Sequence, residues 1–355
     1  MNVLHPSVID CDLHNELPSL QTLYPYLAPH WVDYCNESGF TEPDSGDYPK
    51  NSRLNSKLFF SEGIDLSSSA LSALRTQALD VWSSEIGILN CAYRVSSVHN
   101  SDLAAALATA LNQWQIIEWL NLEPRLRASI VVPSRQPELA AREIDRFGDH
   151  PSFVQVILPV RSEAPYGNRR YDPIFSAAVR HDLVVGIHYG GSTGSPSTPA
   201  GWALTYLEES AGMAQVFQSQ VMSLIVEGVF DRFPTLRVAL IEGGWTWLPS
   251  LMWRMDKEWK GLRHNTPWVS RLPSVYIHEH LRFTTQPLDQ PPNVRQIQQL
   301  MDQLESEEVL LFSSNYPNNC FSKLEQALPT GLGEIVKLKI LAENARGFYK
   351  LTKNL

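Results

Sequence analysis

The sequence predicts a single (β/α)8 barrel, and three observations predict it. Eight short runs rich in β-branched residues recur along the 355-residue chain, amphipathic stretches separate them, and polar residues capable of chemistry follow several of the runs. The runs fall at 8–12, 86–89, 128–132, 154–158, 184–188, 237–241, 281–284 and 309–313, and read as strands. Between them, 102–120, 137–147, 171–181 and 213–230 carry the apolar spacing of helices. Alternating strands and helices bury most economically as a parallel sheet with helical crossovers, and eight such units close into a ring. A doubly wound open sheet is the competing architecture. It would carry a glycine-rich phosphate turn after an early strand, and the sequence has none.

One domain therefore spans 1–355, with two stretches outside the repeat. Residues from about 29 to 66 are rich in Pro, Ser, Asn, Asp and Gly and read as a long loop insertion between the first and second strands. Residues 189–201 (YGGSTGSPSTPAG) read as a loop after the fifth strand. Both leave strand C-terminal ends, where such barrels carry their active sites, so both are candidate lids.

Composition narrows the function. Hydrophobic residues make up 43%, enough for a large core, yet no stretch approaches the roughly 20 apolar residues that span a bilayer. The start, MNVLHPSVIDCD, has no basic segment followed by an apolar run, so no signal peptide is expected. Four cysteines without CxxC spacing exclude a disulfide framework and a thiolate zinc site, and the expected compartment is cytoplasmic. The net charge of −9 is interleaved rather than striped, which excludes a nucleic-acid surface and leaves a small molecule as the expected partner. Trp202, Tyr206, Trp245, Trp247 and Tyr316, near strand ends, point to a largely apolar or aromatic compound.

The chemistry gathers where strands end. Alternate residues of a strand share a face, so Asp12 and His14 both point at the barrel mouth, and carboxylate plus imidazole is half of a metal site. His188 closes the fifth strand, and a buried imidazole there needs a partner, of which a metal is one. Glu242 follows the sixth strand, with Gly243 and Gly244 allowing close approach. Asn315 and Tyr316 follow the eighth. Arg282 in the seventh strand is a candidate clamp for a substrate carboxylate, with a structural role as the alternative. His278 and His280 precede that strand and are expected on the opposite, stabilising face.

Asp12-x-His14, His188, Glu242-Gly-Gly and the Ser-x-x-Tyr-Pro segment ending at Pro317 resemble the amidohydrolase-2 family, the group of aminocarboxymuconate-semialdehyde decarboxylase-like enzymes. ILNCAY (88–93), EGVFDRFPTLRV (227–238), EGGWTWLPSLMWRMDKEW (242–259) and LAENARGFY (341–349) extend the likeness over nearly the whole chain. The resemblance implies a homodimeric barrel with one divalent metal (Zn, Mn or Fe) held by Asp12, His14, His188 and Glu242. It further implies Glu242, His188 and Asn315 as catalytic residues. Trp245, Arg282 and Tyr316 are the expected substrate contacts.

One departure matters. Where the family usually reads Asp-Tyr-Pro-His-Trp-Asp, this chain reads Asn315-Tyr-Pro-Asn-Asn-Cys320. An asparagine amide is neutral and cannot take a proton as a carboxylate does, so metal held at this site is expected to be weakened or lost. Three readings follow. The leading expectation is a metal-dependent hydrolase acting on an amide, ester or thioester carbonyl, with Glu242 replacing the usual base, and decarboxylation as its alternative. The second is an isomerase or cyclase that binds metal weakly or not at all and uses Glu242 and His188 as acid and base; Cys320 is there a candidate thiol ligand or nucleophile, with an inert cysteine as the favoured alternative. The third is a non-catalytic binding barrel.

Overall fold

The computed structural model describes residues 7–44, 70–191, 196, 198, 200–319, 321 and 323–352. In chain order these form β1 (Ile9–Leu13), α1 (Pro29–Ser38), α2 (Ala70–Leu74), β2 (Ile86–Leu89), α3 (Ser101–Gln115), β3 (Leu126–Val131), α4 (Pro137–Phe147), β4 (Phe153–Arg161), α5 (Asp172–Arg180) and β5 (Val184–Gly191). There follow α6 (Tyr206–Val226), α7 (Val229–Arg232), β6 (Val238–Ile241), α8 (Leu248–Leu262), α9 (Pro273–His280), β7 (Leu281–Thr284), α10 (Val294–Leu304), β8 (Leu310–Leu311), α11 (Glu334–Leu338) and α12 (Asn344–Tyr349).

Each strand pairs in parallel with the next, in the order β1 to β8. Backbone bonds from β1 to the segment after β8 bring the two edges together: Cys11 N–H donates to Phe312 O (2.9 Å) and His14 N–H to Tyr316 O (2.8 Å). The (β/α)8 barrel is therefore as expected.

Local chemistry explains the helix ends. The Asn100 side chain accepts from the backbone of Asp102 and Leu103, satisfying two of the free N–H groups that open α3. Proline at the first position of α4 gives up an N–H that would have had no partner. The same device opens α1, which Gly39 closes in the left-handed conformation at φ 69°. This corrects the expected loop insertion: it begins as a helix, because Pro29 and Gly39 are start and stop signals that a polar composition obscures. Residues 45–69 lie outside the described residues, as do 192–195, 197 and 199 of the expected second loop.

The main core lies between strands and helices. A second cluster joins Ile9, Ile86, Ile88, Val184, Ala239 and Ile241 to Phe348 and Tyr349 of α12. Residues just before strands anchor that helix: Arg237 donates to Phe348 O, and Arg346 donates to Glu85 (2.8 and 2.9 Å). Thus α12 covers the floor, the end where strands begin. Among the described residues no helix is long and apolar enough to cross a membrane.

Candidate metal centre

Four side chains from the C-terminal ends of β1, β5 and β6 meet at the mouth. Asp12, His14, His188 and Glu242 each offer one ligand atom, and these atoms all lie within 4.8 Å of one another. His14 Nε2 is 3.5 Å from Asp12 Oδ1 and 3.9 Å from Glu242 Oε1. His188 Nε2 is 3.5 Å from both Asp12 Oδ1 and Glu242 Oε2. The two imidazole rings stand edge to face, 5.2 Å apart.

Backbone carbonyls set the ring orientations. His188 Nδ1–H donates to Tyr189 O (2.8 Å) and His14 Nδ1–H to Asn90 O (3.1 Å), which leaves Nε2 of each ring facing the cluster. Glu242 sits at φ 62°, a left-handed conformation uncommon outside glycine. Its N–H donates to Thr284 Oγ1 (3.0 Å), which fixes the turn. The following glycines are needed there. A Cβ on Gly243 would lie 2.7 Å from the Phe217 ring, and one on Gly244, at φ 64°, would lie 2.6 Å from Asp289 Oδ2.

Two carboxylates and two imidazoles share this buried point. Burial works against a charge on His188, but the Glu242 and Asp12 carboxylates outweigh it and hold the imidazolium up to about 9. Burial likewise opposes ionisation of Asp12, yet His14 and His188 bring it below its ordinary range. Burial raises Glu242 against the pull of His188, and Asp12 adds to the rise.

A divalent cation fits these residues. Asp12 Oδ2 and His188 Nε2 are buried without a hydrogen-bond partner, and the donor set of two oxygens and two nitrogens suits Zn, Mn or Fe. Asn315, also left-handed at φ 59°, comes from the segment after β8. Its Oδ1 lies 3.0 Å from His14 Nε2 and accepts from Asn318 Nδ2 (2.9 Å). Its amide also favours the ionised form of Glu242. Cys320 lies outside the described residues.

The three expected substrate contacts are elsewhere. Trp245 is fully buried in the core, because the turn through Glu242 and Gly244 directs it inward. Arg282 sits low in β7, where its Nη1 donates to the carbonyls of His278 and Leu281, Nη2 faces Glu308 (3.5 Å) and the guanidinium covers the Phe348 ring. It is a floor residue. Tyr316 packs in the core, its hydroxyl donating to Gln77 (3.0 Å), and its backbone helps close the ring. His278 and His280 are on the floor side, bonded to the carbonyls of Leu304 and Leu236.

A cleft opens beside His188. Tyr93, Arg94, Val132, Pro159 and Tyr189 line it with His188, and it encloses about 460 Å³, part of it open to solvent. Sequence reasoning passed over Tyr93, Arg94 and Asn90. The available signal was Asn90, a polar residue directly after the apolar strand β2, the same rule that selected His188.

Comparison with known proteins adds three findings. A family model described as amidohydrolase matches residues 70–351. Gamma-resorcylate decarboxylase of Polaromonas sp. (strain JS666) is 25% identical over 301 residues, covering 79% of this chain and 87% of that protein. Among solved structures, 5-carboxyvanillate decarboxylase from Sphingomonas paucimobilis has a TM-score of 0.69 at 17% identity, covering 98% of this chain and 99% of that one. Dihydroxybenzoic acid decarboxylase from Polaromonas sp. JS666, with bound manganese and the inhibitor 2-nitroresorcinol, has a TM-score of 0.67 at 23% identity, covering 98% and 97%. The activities named for these relatives are decarboxylations. They overturn the leading expectation of carbonyl hydrolysis.

Proposed function

This chain belongs to the amidohydrolase family, and on that premise we propose that it is a decarboxylase of an aromatic carboxylic acid, dependent on a divalent cation held by Asp12, His14, His188 and Glu242. Manganese is the first candidate, since a dihydroxybenzoic acid decarboxylase of the same fold binds it. The observation that carries the reading is the convergence of those four ligand atoms beside a cleft of apolar walls and one guanidinium.

A bound cation supplies positive charge for the oxygens of the acid and for the charge that develops on the ring. The chain's own residues do the rest. Arg94 binds the carboxylate through its planar fork, and Tyr93, Val132 and Pro159 hold the ring and keep water from it. The bond from ring to carboxyl carbon breaks with its electron pair left on the ring carbon. That carbon takes one proton, and neutral CO2 leaves. Glu242 is the carboxyl group at the cluster that would hand over that proton, through the oxygen it does not turn to the cation. Asn315, with no acidic proton, stands beside His14 and Glu242 and cannot act as the acid.

The test is CO2 release from 2,6-dihydroxybenzoate, 5-carboxyvanillate and related acids by Mn2+-loaded protein. At least one acid should yield one CO2 per molecule consumed, and Glu242→Gln should slow it by about 10²–10⁴-fold. A fully loaded protein that leaves every acid intact refutes the reading.

A further inference from the structure

The barrel interior holds a hydrogen-bond chain whose donors all point one way. Tyr349 of α12 donates its hydroxyl to Gln155 Oε1 (2.8 Å), Gln155 Nε2 donates to Asn90 Oδ1 (2.9 Å), and Asn90 Nδ2 donates to Asp12 Oδ1 (2.9 Å). Ser129 braces the middle, accepting from Gln155 Nε2 (2.8 Å) and donating to Asn90 Oδ1 (2.6 Å). All five side chains are buried. Gly186 on β5 makes the room: a Cβ there would lie 2.5 Å from the Gln155 amide.

The direction of the chain is fixed from the Asp12 end. Asn90 Nδ2 also faces the Cys11 carbonyl (3.1 Å), and a carboxylate and a carbonyl can only accept. The amide nitrogen of Asn90 must therefore point toward Asp12, and its oxygen toward Gln155. Gln155 must then donate its nitrogen to Asn90, which turns its own oxygen to the Tyr349 hydroxyl. One Asp12 oxygen is held by this chain, while Oδ2 has no hydrogen-bond partner.

We propose that Tyr349 is a positioning residue for the metal-ligand carboxylate: through Gln155 and Asn90, the C-terminal helix on the floor sets the orientation of Asp12 at the mouth. This rests on the reading of Asp12, His14, His188 and Glu242 as a cation site. Outer partners of metal ligands govern affinity because a carboxylate free to rotate must be ordered when the cation binds. A chain of aligned donors also strengthens each of its bonds.

Tyr349→Phe removes one hydroxyl and leaves the ring. The measurement is Mn2+ affinity, taken by titration well below the unfolding temperature. The dissociation constant should rise about 3- to 10-fold in Tyr349→Phe and about 10- to 100-fold in Asn90→Ala, with Asn90→Ser used where the alanine variant does not fold. Adding Tyr349→Phe to the Asn90 variant should cause no further loss, because the chain is already cut. A contribution to folding alone would leave the affinity unchanged. Mn2+ binding within twofold of wild type in Tyr349→Phe, or an equal loss in the Asn90 background, overturns the proposal alone. A wild-type protein that binds neither Mn2+ nor Zn2+ overturns it together with the cation site.

Discussion

The mouth and the floor of the barrel use the same residue types to opposite ends. On the floor, charges come in complementary pairs: Arg346 with Glu85, Arg237 with Asp182, Arg282 with Glu308. His280 there bonds to a carbonyl and stacks on Phe230, 4.3 Å between ring centres. At the mouth, two carboxylates and two imidazoles turn electron-rich atoms to one point, and two of those residues, Asp12 and His188, keep a buried atom with no hydrogen-bond partner. The backbone differs as well, since Glu242 and Asn315 both hold left-handed conformations. Burial alone therefore does not mark a functional histidine. What marks it is membership of a cluster whose four ligand atoms lie within 4.8 Å of one another.

Exchanging histidines across the two ends should give the largest contrast. His14→Ala is expected to weaken Mn2+ binding by about 10³-fold or more, since it removes a direct ligand. His280→Ala should leave that affinity unchanged and cost about 1–3 kcal/mol of stability for the lost bond and ring contact. Metal titration and denaturant unfolding of both variants check the pair; a metal defect in His280→Ala would break the comparison.

Proton competition sharpens it next. In the cation-free cluster His188 is raised to about 9, so below that pH a proton must leave before Nε2 can bind a cation. The Mn2+ dissociation constant should fall about tenfold for each pH unit gained between 6 and 8, and level off near 9. A titration series that is flat across this range would show that His188 does not exchange a proton for the metal.

On the floor, removing one partner of a pair should cost stability alone. Arg346→Met leaves Glu85 without its guanidinium and should destabilise by about 2 kcal/mol, with Mn2+ affinity unchanged. Arg282→Gln should likewise act on stability alone: loss of its bonds to the His278 and Leu281 carbonyls should cost about 1–3 kcal/mol, with no change in KM for an aromatic acid. A raised KM would return Arg282 to the substrate site.

The same contrast explains what could be read in the sequence. β2, β7 and α4 fall where the residue pattern puts them, because apolar runs bounded by polar residues leave little choice of ends. The eighth strand was expected over 309–313 but is only Leu310–Leu311, since its limits depend on which partners the neighbouring strands offer. Asp12, His14, His188 and Glu242 could be found because each ends or follows an apolar strand, and chain order in a barrel places such positions at one end. Arg282 could not be placed that way. In a four-residue strand, one position decides whether a long side chain reaches mouth or floor, and Phe348, distant in sequence, draws it down. Trp245 depends on two successive turns that no local pattern announces.

The central claim is that Asp12, His14, His188 and Glu242 form one cation site. Counting Mn2+ bound per chain, in metal-stripped wild type and in His188→Ala, tests it most directly. One equivalent in the wild type and loss of tight binding in the variant is the predicted result. Wild type without stoichiometric binding, or a His188→Ala protein that binds as tightly, would contradict it.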